Sequence, residues 1–151
     1  MISFEEIRVI TVVYLAVFLP FIIYFKKKDK LPNWVPTFYI IGVVVCSLGW
    51  ELWFSYGWIS GDGVDLRRSE SLNTWLPKDI NWLMNSMGDA GTVLLGGTWL
   101  MWVTHKKDQI VFKEWKWSGF CVLLTWCVTQ NILVEMFLYH DQLAEDKLLS
   151  W

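Results

Sequence analysis

"TFYIIGVVVCSLGWELWFSYGW", residues 37–58, holds a single charged residue, Glu51, lying between Trp50 and Trp53. About 20 apolar residues at 1.5 Å each cross the hydrocarbon of a bilayer, so this run is long enough to span one. Three similar runs accompany it, at 9–25, 80–104 and 117–139. Composition agrees: 54% of the 151 residues are hydrophobic, twelve are tryptophan, and mean hydropathy is +0.35. A water-soluble domain of this length needs more polar surface. The expected fold class is all-α, a polytopic four-transmembrane-helix bundle forming one membrane domain over 1–151.

The charges outside the apolar runs set an expected orientation. Lys26, Lys27, Lys28 and Lys30 follow the first run, and Lys106, Lys107, Lys113 and Lys116 follow the third. Basic residues clustered at helix ends mark the cytoplasmic side, which puts both termini and the long polar loop 59–79 on the non-cytoplasmic side. The first run is preceded by Glu5 and Glu6 and closed by "KKKDK", the layout of a retained span rather than a cleaved leader. Cys46, Cys121 and Cys127 lie inside apolar runs without CxxC spacing and read as small buried hydrophobes. The basic residues are accounted for by topology, which leaves no signal for nucleic acid.

Polar residues inside the runs fall on helix faces. Ser47, Glu51 and Ser55 share one face of the second run; Asn81, Asn85, Asp89 and Thr92 share one face of the third. In the fourth, Cys127, Asn131 and Glu135 align, with Thr129 and Gln130 to the side. Counted from the non-cytoplasmic end, the three acids Glu51, Asp89 and Glu135 lie at overlapping depths of roughly 6–14 Å. No lysine or arginine in these stretches offsets them. The small residues of "GDAGTVLLGG" (88–97) are expected to let the third helix approach its neighbours closely.

An ionisable side chain within a membrane costs several kcal/mol and marks a functional position, or else serves as polar glue between helices. Removal from water and a neighbouring carboxyl both favour a neutral acid, and a neutral acid in an apolar pocket can donate a proton. Trp50, Trp53, Tyr56, Trp82, Trp99 and Trp126 offer faces that could stabilise a cation, or simply pack and anchor the helices. Glu51, Asp89 and Glu135 are therefore the candidate catalytic acids of a membrane enzyme. Asn85, Asn131, Gln130 and the aromatic residues Trp50, Trp53, Tyr56, Trp82 and Trp126 are candidate substrate contacts. The expected partner is a membrane lipid or lipid-soluble small molecule, and homo-oligomerisation stays open. Carboxylates alone could instead carry protons or cations, or belong to a non-enzymatic lipid-binding subunit. His105 and His140 sit at opposite ends of the bundle, so neither a haem nor another cofactor is expected, and no metal site. Arg67 and Arg68, in "DLRRSES", read either as a phosphate or headgroup contact or as ion-pair partners of Asp62 or Asp65.

"GWELWFSY" (49–56) followed by "INWLMNSMGDAG" (80–91) resembles two acid-bearing helices of the integral-membrane terpene cyclases of fungal meroterpenoid pathways. That resemblance covers about 45–100 and implies that Glu51 and Asp89 take part in protonating a prenyl epoxide. The family has about seven helices against four here, and its C-terminal acid would be matched by Glu135. The layout is also similar to the four-helix core of emopamil-binding sterol isomerase-like proteins, whose histidine-plus-glutamate motif this chain lacks. Both resemblances imply carbocation chemistry, cyclisation or isomerisation, on a terpenoid- or sterol-like substrate.

Overall fold

A computed structural model describes residues 2–57 and 62–134. Within them the chain is helical, with no strand. Helix α1 (Phe4–Lys27) opens on a capping box in which the Ser3 hydroxyl accepts from the Glu6 amide and the Glu6 carboxylate accepts from the Ser3 amide. It stays helical through Pro20, then ends in a short 3-10 turn over the lysine run. Pro36, in the first turn of α2 (Val35–Leu48), suits a helix start.

At Gly49 the second helix bends by 43° into α3 (Trp50–Tyr56). A Cβ at Gly49 would come 2.7 Å from the Val45 carbonyl oxygen, so a side chain at this bend would force the backbone apart. A polar segment containing α4 (Glu70–Trp75) follows, then α5 (Lys78–Asp89), a π turn (Ala90–Leu95) and α6 (Gly96–Thr104). The last described helix is α7 (Trp117–Val134).

The third helical unit, α5 through α6, is the centre of the bundle. It packs against α1, against α2 and α3, and against α7. Its small residues have the packing role expected of them: a Cβ on Gly88 would lie 3.2 Å from Ala16, and one on Gly91 would lie 3.1 Å from the Pro20 ring. Only a thin stripe of α1 is buried, Val9, Val13 and Val17 at four-residue spacing. Leu15, Phe18, Leu19, Ile22 and Ile23 of the same helix are exposed, as are Ile40, Ile41, Val44 and Val45 of α2 and Leu124, Val128 and Ile132 of α7. An apolar exterior over three helices is far larger than a water-soluble monomer exposes.

Among the described residues two helices are long and apolar enough to cross a membrane, α1 and α7, and a third span results if α2 and α3 count as one bent unit. The four continuous spans expected from the sequence are thus reduced to two or three by length and composition. The third run is the one that drops out, because the π turn divides it and the α5 portion is polar on one side.

The described part of the long loop, from residue 62 on, is a folded cap. Val64, Leu72 and Leu76 are fully buried, and Leu76 joins Val9 and Val13 in a cluster that Tyr14, Met84 and Val134 complete. The Tyr14 hydroxyl donates to the Trp75 carbonyl at 3.1 Å, and the Ser69 and Ser71 hydroxyls both donate to Glu6. Arg68 is buried within this cap. It donates to Asn73 Oδ1 at 2.5 Å, to Asn81 Oδ1 at 3.2 Å and to the Leu76 carbonyl. Arg67 donates to the Phe54 carbonyl. Both arginines thus hydrogen-bond neutral oxygens, while Asp62 acts electrostatically on Arg67 and Asp65 on Arg68, the acids expected to accompany them. Lys78 and Asp65 form an ion pair in the cap, at 3.3 Å and partly exposed.

Candidate functional site

Helices α3 and α5 run antiparallel, and their contacts fix the register. Trp50 meets Asp89, Glu51 meets Asn85, and Tyr56 meets both Trp82 and Asp79. The acid stripes expected on the second and third helices therefore face each other. Ser47, Glu51 and Ser55 are all buried, Glu51 with 6% of its surface exposed and Ser55 with none. Opposite them, Asn81 is buried, while Asn85, Asp89 and Thr92 are half-buried.

Glu51 and Asp89 form the centre. The Asn85 side chain lies beside the Glu51 carboxyl, and Asp89 lies close enough to act on it electrostatically. Asp89 Oδ2 accepts the Trp50 indole N–H at 2.9 Å. Buried Cys46, one turn earlier, faces both carboxyls. Glu51 Oε2 is enclosed and has no hydrogen-bond partner among the described residues. Two carboxyls of like charge that act on each other away from water disfavour joint ionisation.

Each acid adjoins a break in its own helix. Glu51 is two residues past the Gly49 bend, and Asp89 immediately precedes the π turn. Such breaks free main-chain carbonyls that hydrocarbon cannot satisfy, and aromatic side chains of neighbouring helices supply donors. Trp82 Nε1 donates to the Ser47 carbonyl at 2.8 Å, Trp126 Nε1 to Thr92 at 2.8 Å, and the Tyr39 hydroxyl to Met87 at 3.1 Å. Trp82 and Trp126, expected as substrate contacts, thus have a backbone role. Tyr39 was not singled out by the sequence, since nothing in its spacing relates it to the third helix.

The other expected contacts divide. Trp50 turns its indole nitrogen to Asp89 but leaves about half its surface exposed, and Trp53 and Trp99 lie on the outer surface. Tyr56 is drawn to the cap end by Asp79, with Lys78 5.5 Å from its ring centre. On α7 the buried polar residue is Gln130, while Asn131 is exposed and donates to the Cys127 carbonyl of its own helix at 2.7 Å. The polar face of α7 is therefore turned by one residue from the expected Cys127–Asn131 line. Glu135 and His140 lie outside the described residues.

The acids sit at the α3–α5 interface, and a cavity of about 210 Å³ lies elsewhere. Pro20, Phe21, Tyr24, Tyr39, Ile40 and Leu95 line it, and its surface is wholly apolar. From Ile40 to Glu51 is about 16 Å along the helix at 1.5 Å per residue. Tyr39 connects the two regions, its ring lining the cavity while its hydroxyl reaches Met87, two residues before Asp89. No metal-binding group of three or more His, Cys, Asp or Glu side chains occurs among the described residues. No protein family, curated protein or solved structure matches the chain.

Proposed function

We propose that the chain is a four-span membrane protein, both termini non-cytoplasmic, whose Glu51–Asp89 pair performs acid–base chemistry on a terpenoid- or sterol-like lipid. The observation that carries this reading is the buried Glu51 carboxyl, with one oxygen unpartnered, beside a second carboxyl oriented by an indole. In an isomerisation, Glu51 gives its proton to one alkene carbon and Asp89 takes a proton from a neighbouring carbon, so the double bond moves and no net proton is consumed. In a cyclisation the same donor opens an epoxide or protonates an alkene, and proton loss to the pair quenches the resulting carbocation. The apolar cavity beside Tyr39 suits the hydrocarbon portion of such a substrate. This is the chemistry that the resemblance to the membrane terpene cyclases implies for Glu51 and Asp89.

A second reading has its own support. Discontinuous helices carrying acids are the usual construction of proton- and ion-coupled carriers, and both acid-bearing helices are broken beside the acid. The two readings separate in one preparation. For the enzyme, mass spectrometry of gently extracted protein finds an isoprenoid or sterol-like lipid, and Glu51→Gln abolishes its conversion while the fold survives. Proton flux into liposomes that Glu51→Gln abolishes, with no bound lipid, overturns the enzyme in favour of the carrier.

A further inference from the structure

Three buried polar atoms line the α3–α5 interface without a partner among the described residues: Glu51 Oε2, Ser55 Oγ and Asn81 Nδ2. The residues that carry them are at least 94% enclosed, at 6%, 0% and 2% exposure. The α3–α5 register places them together. Glu51 pairs with Asn85, and Tyr56 pairs with Trp82, so Ser55 is level with Asn81 one turn nearer the cap. Successive rungs are about 6 Å apart along the helices, the rise over four residues.

Arg68 decides which way Asn81 points. A guanidinium only donates, so it holds the Asn81 carbonyl oxygen toward the cap and leaves the amide NH₂ directed elsewhere. Burial pulls the Arg68 pKa down to about 10, which still leaves it charged at neutral pH. The interface thus offers an amide donor, a hydroxyl that can donate or accept, and a carboxyl oxygen. Buried polar atoms left unpaired by protein are the usual holders of internal water. A bare cation fits poorly, because the Asn81 oxygen it would need is committed to Arg68 and the NH₂ is presented in its place.

We infer that Glu51 Oε2, Ser55 Oγ and Asn81 Nδ2 hold a short file of buried water, and that this file is the proton route between the Glu51–Asp89 pair and the cap side of the bundle. Ser55 passes a proton by rotating its hydroxyl, and Asn81 is a positioning residue that fixes the water nearest the cap. The groups facing the route are Glu51, Asp89 and Cys46 at one end and Arg68 at the other. The cavity beside Tyr39 has an apolar lining and supplies no comparable path on the opposite side. This inference rests on the proton-exchanging role proposed for the pair.

Full-length protein in lipid nanodiscs, labelled with nitrogen-15, provides the test. Magnetisation transfer from water to the Asn81 side-chain amide is expected in the unmodified protein. Ser55→Val should abolish that transfer and slow deuterium exchange at the Glu51 carboxyl, followed by infrared difference against Glu51→Gln, by about tenfold, the equivalent of one lost hydrogen bond. Ser55→Thr should restore both. Absence of the water contact in the unmodified protein, unchanged carboxyl exchange in Ser55→Val, or displacement of the signal by sodium each overturns the route. The two readings fail separately. Lipid turnover without the water contact sinks the route alone. A water contact with the expected exchange, in a protein that converts no lipid, sinks the catalytic reading alone.

Discussion

Replacing Arg68 by methionine tests what holds the cap to the bundle. Its guanidinium supplies three hydrogen bonds, to Asn73, Asn81 and the Leu76 carbonyl, and is almost wholly enclosed. At about 1.5 kcal/mol for each bond from a charged donor, the three are worth about 4.5 kcal/mol. Methionine fills much of the same volume and relieves the desolvation of a buried charge, which offsets part of that loss and leaves about 2–3 kcal/mol. Cap opening should therefore become roughly 30- to 150-fold more frequent. Amide hydrogen exchange at Leu72 and Leu76 reads it directly, since Leu72 donates to the Ser69 hydroxyl and Leu76 to the Leu72 carbonyl. Lys78→Ala is the comparison. It removes the Lys78–Asp65 ion pair, whose side chains are 32% and 37% exposed, and should change opening by less than about fivefold because exposed pairs contribute under about 1 kcal/mol. If Lys78→Ala opens the cap as much as Arg68→Met, the role assigned to the buried guanidinium is wrong.

Glu51→Gln and Asp89→Asn should keep wild-type thermal stability in detergent, within about 1 kcal/mol, because shape and most hydrogen bonding survive; unfolding of both would make the acids structural glue. Gly49→Ala should destabilise by about 1–3 kcal/mol, since its Cβ meets a main-chain oxygen rather than a yielding side chain. Circular dichroism melts of that variant decide it. Trp126→Phe should cost about 1 kcal/mol through the unpaired Thr92 carbonyl, and local exchange at the π turn should rise with it. In a background free of the three native cysteines, Leu66→Cys and Lys107→Cys should react with impermeant reagents from opposite sides of a sealed membrane. Labelling of both from one side would refute the four-span arrangement.

The facing stripes were legible because side chains four residues apart share a helix face whatever the helix does at its ends. That was enough to bring Glu51, Asn85 and Asp89 together. The two breaks were not legible. Gly49 and the glycines of 88–97 announce close packing equally well, and a π turn adds a residue without any change in composition. The same insensitivity explains α7, where Gln130 and Asn131 are adjacent and the apolar background gives no gradient to choose between them. Arg67 and Arg68 were read by charge, and Asp62 and Asp65 do act on them, yet their hydrogen bonds go to carbonyl and amide oxygens that the fold brings in from elsewhere. Charge counting cannot see those acceptors.

The direction of synthesis gives the buried pair a timetable. Every group that accompanies Glu51 on its open side, Trp82 behind the Ser47 carbonyl, Asn85 and Asp89, belongs to sequence made later, Asn85 thirty-four residues later (85 − 51). In the proposed four-span arrangement the second helix leaves the ribosome before the third, and its acid would enter the membrane alone, at a cost of about 2.5–3.5 kcal/mol on insertion scales. The isoleucines and valines of 40–45 must hold it there until the third helix arrives. A nascent chain arrested before residue 82 should therefore slip back toward water at its α3 end, whereas one that has passed Asp89 should not. The chemistry proposed for Glu51 and the insertion proposed for its helix thus turn on the same carboxyl.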